Sequence, residues 1–507
     1  MKSLFYSARK LLLIFAAVLA FFARVQQPFC QDFQAGFWPA EHIAILHDFG
    51  YIWSENTIFK PYRWERIGSQ FSNDGAVPNS GLQWIAHDLV KETQGNQLFI
   101  AGTTDTLNFI WWNGVRMNQS VGPGKPFSSF AVAPFSKLTF WFRQRLNVQL
   151  FLRATNEPAS LPGFTGHARD IRRFGLNAAE FDHAAVSYRN DWLLVQFARG
   201  RQIWGSTERE TMILAATSPA YDHFMLEGRY KRLKLRFFNG FLESITDEVN
   251  INRYLVGHGI EYSNHRNLLI VLSELIVYSG ENRPFDISFL NPLAFALEVE
   301  QNNRTNKDVG SGSSNSVWSV HVDWMPLRGL RLSGDLTIDE FQFDRADRPQ
   351  GRPDATAYSL RASYSRILGR IPVTVFSQYT RIGSLTFRHD LGANNFVSRN
   401  LPLGSDIGSD ADRWQFGTQL VFPIRFIISV KYGFSREGDR SLLLDKYASI
   451  ERFTSFPFPS GQVQKTRFLD WRIAYRPFRN FEVLASGRFS RGTGRFDENK
   501  QYLMFSL

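Results

Sequence analysis

The stretch that decides the fold is 318–324, which reads WSVHVDW. Its apolar and polar residues strictly alternate. Two further stretches, 358–365 (YSLRASYS) and 426–434 (FIISVKYGF), show the same rhythm. Successive side chains of a β-strand point to opposite faces, so each stretch predicts a strand with one apolar and one polar face.

This alternation continues, segment after segment, from about residue 138 to residue 507. Large aromatic residues lie near both ends of the apolar faces, and Arg, Asp and Lys lie in the middle of the polar faces. A membrane barrel turns its apolar faces to lipid and its polar faces to the lumen, with aromatic girdles at both interfaces. The pattern therefore predicts an all-β protein, a transmembrane antiparallel β-barrel, rather than a water-soluble sandwich.

The first thirty residues have the composition of a secretory signal peptide. Lys2, Arg9 and Lys10 precede an apolar run, residues 11–22, that is too short to span a bilayer. No later stretch reaches the roughly 18 consecutive apolar residues of a membrane helix. We therefore expect export to the outer membrane of a bacterium with two membranes. Cys30 is the single cysteine of the sequence, so no intrachain disulfide can form.

The chain is basic, with a formal net charge of +11. Removal of the signal takes four basic residues and leaves about +7. Nucleic acid is not an expected partner, because no nucleic-acid-binding motif is present and export argues against it. Lipopolysaccharide or an acidic polysaccharide suits a basic surface better. Lumen arginines that outnumber their carboxylate partners explain the charge equally well.

Between the signal (1–30) and the barrel, residues 31–95 show helical periodicity. Residues 39–51 place apolar side chains on one side, and 61–71 begins with a proline at a favourable first helical position. Ser80 can cap a third helix. Isolated short helices are unstable, so we predict a small periplasmic helical bundle that packs on itself or on the barrel.

Turn residues from about residue 136 onward alternate between short and long connections. Eight short turns are predicted near Arg145, Asn190, Arg232, His265, Leu327, Leu368, Ile424 and Phe478. Outer-membrane barrels have short periplasmic turns and long extracellular loops, so the alternation also gives the orientation. A first strand at 97–112 and a last strand at 499–507 complete a predicted barrel of about eighteen strands within 96–507.

The sequence contains no arrangement typical of an enzyme. A triad of His258, Ser263 and Asp247 can be drawn, but their spacing does not support it. A barrel hydrolase is therefore the third interpretation, behind a binding protein and a channel. Neither a cofactor nor a metal is expected, since Cys and His show no metal-binding spacing. Asp406, Asp410 and Asp412 lie in one Gly/Ser-rich loop, and their carboxylates could offer oxygen ligands for calcium. The favoured interpretation is a solvated acidic loop.

Four segments combine aromatic residues or histidine with Asn, Asp and Arg: RDIRRFG (169–175), GRQIWG (200–205), SPAYDH (218–223) and SGENRPFDISFLNPLAF (279–295). Aromatic rings cover the apolar faces of sugars, and planar polar groups bind hydroxyls and carboxylates. The last segment lies in a connection of more than thirty residues, long enough to fold inward. The segments indicate either sugar recognition or, equally well, a brace for the barrel mouth.

The order of these motifs resembles the Wzi family of capsule-assembly proteins. The resemblance rests on GRQIWG and SPAYDH, followed by FFNGFLES (237–244), RYLVGHGIEY (253–262), SELIVYSGENRP (273–284) and FLNPLAF (289–295). It covers residues 165–305 well and the rest by architecture. The resemblance implies an outer-membrane barrel of eighteen strands with a periplasmic helical bundle, acting as a surface lectin for exported capsular polysaccharide. It implies no catalytic residue.

The leading hypothesis is a non-enzymatic, monomeric outer-membrane lectin that binds capsular or other exopolysaccharide. Six residues in or beside the extracellular connections are the expected glycan contacts: Trp204, Tyr221, Asp222, Asn282, Arg283 and Asn291. The alternative is an outer-membrane porin, a channel for small and perhaps anionic solutes. Conductance separates the two, because a lectin with a filled lumen does not give a large steady open pore.

Overall fold

The computed structural model describes most of the barrel and part of the N-terminal segment. The described residues are 32–33, 38–52, 59–60, 62–63, 80–92, 96–99, 106–122, 125–142, 145–161, 164–205, 211–246, 249–291, 314–340, 355–450, 457–478, 481–496 and 498–506. The predicted signal peptide lies outside them and stays a prediction. Within these residues, no α-helix is both long enough and apolar enough to cross a bilayer.

Eighteen antiparallel strands form one closed β-barrel. They are β1 (Thr106–Gly122), β2 (Lys125–Phe142), β3 (Leu146–Thr155), β4 (Ala178–Arg189), β5 (Leu193–Gly200), β6 (Tyr221–Tyr230), β7 (Leu233–Phe241), β8 (Asn250–Ser263), β9 (Leu268–Glu281), β10 (Ser314–Leu327), β11 (Leu330–Glu340), β12 (Ala355–Leu368), β13 (Ile371–Ile382), β14 (Ala411–Phe422), β15 (Phe426–Glu437), β16 (Gln464–Phe478), β17 (Phe481–Thr493) and β18 (Glu498–Ser506). Strands adjacent in the chain pair, and β18 closes the barrel on β1, with Ser506 opposite Arg116. The predicted fold class is confirmed.

The two faces of each strand differ as the alternation predicts. On β10, the outward Trp318 and Val322 are 40% and 37% exposed, whereas the inward Ser319, His321 and Asp323 are buried. An arginine or lysine on the lipid face would cost about 2–4 kcal/mol near the midplane. Membrane insertion therefore fixes the strand register, because a shift of one residue would turn every inward charge to lipid.

The predicted alternation of short and long connections is also present from β2 to β17, but only four residues separate β17 from β18, where a long connection was predicted. The short turns lie together at one end of the barrel, which we call the short-turn end, and the opposite end is the long-loop end. The first strand was predicted at 97–112, which is wrong in position, because β1 runs over Thr106–Gly122. Gly122 pairs with Lys125, so β1 is joined closely to β2. Asn96–Phe99 forms a short strand beside the start of β1.

Two of the three predicted helices are present, namely α1 (Trp38–Asp48) and α2 (Gly81–Glu92). The predicted cap is confirmed, because the Ser80 hydroxyl accepts a hydrogen bond from the Leu82 backbone N–H at 3.3 Å. The two helices pack on each other, and the rings of His42 and Trp84 meet edge to face at 5.0 Å.

The helix predicted at 61–71 is wrong at its start. Tyr62–Arg63 forms a short strand that pairs with Asp32–Phe33. At Tyr62 and Arg63, pairing with another part of the chain therefore outweighs the local preference for a helix after the proline. The remainder of this prediction, 64–71, lies outside the described residues.

The helices occupy the short-turn end of the lumen, and we call α1 and α2 together the helix plug. The Trp84 indole N–H donates to the Phe422 carbonyl at 3.0 Å, and the Gly81 backbone N–H donates to the Arg370 carbonyl at 3.0 Å. Both carbonyls lie at or beside short turns of the barrel. The plug is thus fastened directly to the rim of this end.

Candidate functional site

Buried ion pairs hold the helix plug to the barrel wall. Asp48, at the end of α1, contacts Arg331 and lies 3.3 Å from a guanidinium nitrogen of Arg361. Asp88, in α2, contacts Arg425 and lies 3.3 Å from Arg476. Both aspartates are 1% exposed. Removing one partner of such a buried pair strands a charge, so these contacts fix where the helices sit.

The same arginines determine the protonation of the helix plug. Burial alone would raise the pKa of Asp48, but Arg361 and Arg331 hold that pKa below its ordinary value. Burial lowers the pKa of His42 well below its ordinary value, and Arg476 acts in the same direction. At neutral pH the helix plug therefore carries an ionised carboxylate and a neutral imidazole.

Three connections fold into the lumen from the long-loop end, and we call their described residues, 201–205, 211–220, 383–410 and 438–450, the loop plug. Their apolar side chains form one buried cluster with inward residues of the wall: Trp204, Met212, Ile213, Leu214, Phe387, Phe396, Val397, Leu403, Ile407 and Leu442, against Met225, Phe238, Leu255 and Leu275. The Ala215 N–H donates to the Leu403 carbonyl at 2.8 Å. A porin lumen is polar and wet, so an apolar core at this position indicates a filled barrel.

Wall side chains anchor the loop plug. The Arg253 guanidinium, fully buried on β8, donates to the carbonyls of Ala393 at 2.5 Å and Asn395 at 2.9 Å. The Ser279 hydroxyl, at the end of β9, donates to the Asn394 side-chain oxygen at 2.7 Å. The two Arg253 bonds satisfy backbone carbonyls that would otherwise be buried without a partner, which stabilises the inward fold of 383–410.

The three aspartates considered as calcium ligands have other partners. Asp406 pairs with Arg413, and Asp412 pairs with Arg436. Asp410 accepts hydrogen bonds from the Ser384 hydroxyl at 2.6 Å and from the backbone N–H groups of Arg440 and Ser460. Asp406 and Asp410 are thus used to hold the loop plug, and Asp412 is used in a pair between two neighbouring wall strands. In the described part of the chain, no three His, Cys, Asp or Glu side chains are grouped so that they could hold a metal.

Two of the six predicted site residues are buried where the loop plug packs on the wall, Trp204 on the plug and Tyr221 at the start of β6. Trp204 is 2% exposed and packs edge to face on Phe238 at 5.4 Å. Tyr221 is 3% exposed, and its hydroxyl accepts a hydrogen bond from the Gln202 N–H at 3.2 Å. In this structure both rings support the plug and present no face to solvent.

Asp222 points in the opposite direction from its neighbours. Because Tyr221 and His223 face the lumen, Asp222 lies on the outer wall at the long-loop end of β6. It is 62% exposed and pairs with Arg199 of β5 at 2.9 Å. The pair therefore lies on the membrane-facing side of the rim, away from the loop plug.

The connection that is long enough to fold inward begins on the outer wall instead, as far as residue 291. Residues 281–291, which we call the outer flap, cover the outer wall at the long-loop ends of β7 to β9. Phe289 stacks on the outward Tyr278 at 4.5 Å, and the outward Tyr254 hydroxyl donates to the Arg283 carbonyl at 2.9 Å. The wall itself explains the difference, because its outward tyrosines give the phenylalanines of the flap an apolar surface.

The outer flap contains the other three predicted site residues. Arg283 is buried, with its guanidinium 4.7 Å from the Tyr278 ring centre, so it anchors the flap. Asn282 is exposed, in the left-handed region with φ 45°. Asn291 is exposed at the end of the flap's described part. The structure thus brings Asn282, Arg283 and Asn291 together on one flap, and separates them from Trp204 and Tyr221.

One exposed feature was not among the predicted site residues, although its motif was noted. Residues 167–175, which we call the arginine hairpin, lie between β3 and β4 at the long-loop end, and all of them are exposed. Its tip carries Phe174, which is 96% exposed, and Ile171, which is 72% exposed. The Phe-Gly pair that follows two arginines was the sequence signal that could have located this turn.

The triad considered for a hydrolase is not assembled by the described residues. His258 faces outward on β8 and meets the Phe237 ring at 5.2 Å. Ser263 lies five residues along the same strand and is buried on the opposite, lumen face. Asp247 lies outside the described residues.

The fold and these plugs define an outer-membrane β-barrel with a filled lumen. No family model matches the chain, and no curated protein matches it. Among solved structures, it has the fold of Wzi of Escherichia coli, described as an outer membrane protein involved in group 1 capsule assembly and a carbohydrate-binding β-barrel. Identity is 11%, the match covers 94% of this chain and 99% of Wzi, and the TM-score is 0.62. This likeness establishes the fold.

Outer-membrane proteins with weaker likeness include OprD of Pseudomonas aeruginosa and OccAB1 of Acinetobacter baumannii. OprD is 13% identical to this chain, the match covers 78% of this chain and 92% of OprD, and the TM-score is 0.43. OccAB1 is 11% identical to this chain, the match covers 79% of this chain and 96% of OccAB1, and the TM-score is 0.45. Similarity at this level carries no argument about function.

Proposed function

We propose that this protein binds exported capsular or other exopolysaccharide at the cell surface and aids capsule assembly. The observation that carries the proposal is the filling of the lumen from both ends, by the helix plug and by the loop plug. A barrel filled in this way has little room for solute passage, so its exposed outer end is the part available for a ligand. The carbohydrate-binding function described for Wzi supports the same choice.

The orientation supports access by a polymer. Short turns of outer-membrane barrels are periplasmic and long loops are extracellular. The helix plug is then periplasmic, and the loop plug, the outer flap and the arginine hairpin face the outside. Lipopolysaccharide and membrane lipid would surround the wall, where the Asp222–Arg199 pair lies.

The predicted contacts can now be ranked by exposure. Asn282 and Asn291 are proposed contacts, because their amides are exposed at the long-loop end and amides bind sugar hydroxyls. Asp222 is a proposed contact only for sugars that reach the rim. Trp204, Tyr221 and Arg283 would act on binding indirectly, by holding the loop plug and the outer flap in place.

Polysaccharide retention tests the proposal. Cells that lack the gene should shed their surface polysaccharide into the medium, and the wild-type gene should restore retention. The double variant Asn282→Ala and Asn291→Ala should restore it incompletely at equal barrel abundance, whereas Gln83→Ala, on an exposed face of α2, should restore it fully. Unchanged retention in the deletion strain would contradict the proposed function, and full rescue by the double variant would discard those two residues.

The channel alternative is tested separately. A diffusion porin would give a steady open-pore conductance in planar bilayers, and its loss would slow the uptake of small solutes. We find no observation in the described residues that favours this alternative, because apolar packing and buried ion pairs occupy the places where a porin has water.

A further inference from the structure

The arginine hairpin has a defined backbone. The Arg173 and Leu176 backbones exchange two hydrogen bonds, of 2.7 and 3.0 Å, and the Asn177 N–H donates to the Thr155 carbonyl at 3.1 Å. Phe174 and Gly175 have φ values of 54° and 82°, as in a two-residue turn of type I′. The hairpin therefore leads directly into β4 at the long-loop end, and Asn177 ties its base to the end of β3.

Phe174, at the tip of the hairpin, is not a residue that this turn favours. Type I′ turns favour Asn-Gly, and a bulky residue in the left-handed region is an outlier that costs about 1 kcal/mol or more. Phe174 makes no compensating contact, since 96% of it is exposed. A strained and fully exposed ring does not help the barrel fold, which points to a role outside the folded chain.

The charge of the hairpin is also uncompensated. It holds three arginines and one acid, which gives a net charge of +2 without His167. Arg169, Arg172 and Arg173 are exposed, and none of them forms an ion pair with any residue that the structure describes. The lumen arginines differ, because Arg331, for example, is paired with Asp323 at 2.6 Å. The hairpin thus presents unpaired guanidinium groups beside an aromatic ring.

We propose that the arginine hairpin binds the carboxylate groups of an acidic polysaccharide. This inference rests on the proposed function and adds both the site and the class of polymer. Guanidinium groups form bidentate contacts with carboxylates, and the exposed face of Phe174 packs on the apolar face of an adjacent sugar. The hairpin belongs to a connection at the long-loop end, which is extracellular in outer-membrane barrels, and this favours a polymer outside the cell over a lipid headgroup beside the wall.

The experiment measures binding of the full-length protein, in detergent micelles, to polygalacturonate and to the same polymer after carboxyl reduction. One variant carries Arg169→Gln, Arg172→Gln and Arg173→Gln. Its matched control removes three exposed charges at the short-turn end: Lys231→Gln, Arg232→Gln and Arg266→Gln. A further variant, Phe174→Asn, removes the ring while giving the turn its preferred Asn-Gly sequence.

We expect wild-type protein to bind polygalacturonate, and the hairpin triple variant to bind about 10- to 100-fold more weakly. The control triple variant should change affinity less than about threefold, since it tests non-specific attraction. Phe174→Asn should weaken binding about three- to tenfold without lowering the unfolding temperature. Carboxyl reduction of the polymer should abolish the difference between wild type and the hairpin triple variant.

Three results would overturn the inference. These are equal binding of the charged and reduced polymers, equal losses in the two triple variants, and hairpin-dependent binding of lipopolysaccharide micelles in preference to polygalacturonate. None of these three results contradicts the proposed function, as long as cells that lack the protein lose their surface polysaccharide. If the deletion strain retains it, the proposed function fails whatever the hairpin binds.

Discussion

Replacement of Asp48 by asparagine tests how the helix plug is held. The Asp48 carboxylate serves two buried arginines, Arg331 and Arg361. Arg331 keeps its second carboxylate, Asp323, through two hydrogen bonds of 2.8 and 2.6 Å. Arg361 keeps the Ser363 hydroxyl at 2.9 Å but loses its contact with charged Asp48. The variant therefore strands one buried guanidinium rather than two.

The structure also sets the size of the effect. Breaking a buried ion pair by removing one partner costs about 3–5 kcal/mol. We use the lower value, about 3 kcal/mol, because asparagine retains one acceptor oxygen and Arg331 remains paired. That free energy corresponds to an increase of about 100-fold in the undocked population of α1. Undocked α1 does not stay helical, because eleven residues are too few for a stable isolated helix.

Hydrogen–deuterium exchange of the purified barrel in micelles measures this population. Amides of 41–48 should exchange about 100-fold faster in Asp48→Asn than in wild type, while amides of β10 should not change. Asp170→Asn, which removes an exposed carboxylate at the long-loop end, is the control and should leave α1 unaffected. Equal α1 exchange in Asp48→Asn and wild type would refute the reasoning that this ion pair docks the helix.

Further predictions concern pH, lipid and the loop plug. The pKa of His42 is lowered in the docked state, so docking of α1 should weaken as pH falls below the ordinary value of 6.5. The exchange rate of the α1 amides, corrected for intrinsic rates, should therefore rise below that pH in wild type but not in His42→Phe. The pKa of Asp48 is also lowered, so its contribution is complete above 3.8 and should be lost only as pH falls further. Val320→Arg, on the lipid face, should lower the free energy of unfolding in urea by about 2–4 kcal/mol. Leu327→Arg, beside the short turns, should lower it by only about 0–1 kcal/mol. Equal losses in the two variants would contradict the assigned membrane position. Trp204→Ala should cost about 3–5 kcal/mol by leaving a cavity against Phe238, and an unchanged thermal unfolding temperature would contradict its place in the core of the loop plug.

The barrel could be predicted because the membrane makes the alternation strict. On strands such as β10, a polar residue in an outward position would face lipid, so the sequence itself records which face is which. Turn residues then divided the chain correctly from β2 to β17. The position of β1 was missed, since the tight turn at Gly122 falls at the end where long loops were expected.

The candidate site was less predictable, because an aromatic residue beside polar groups suits a sugar site and a packed core equally well. Trp204 is part of the loop-plug core, yet its sequence context resembles that of an exposed ring. The length of the connection that holds the outer flap allowed an inward fold, and its direction depends on Tyr254 and Tyr278, whose partners are set by tertiary structure. Phe174 shows the reverse case, since its exposure follows from backbone conformation at the hairpin tip.

The central claim is that the barrel interior is packed structure and that the protein acts through its outer end. The most direct test is the conductance of wild-type protein reconstituted in planar lipid bilayers at neutral pH. We predict no steady open-pore current, because the helix plug and the loop plug fill the lumen. A large, steady conductance from correctly inserted wild-type barrels would contradict this account.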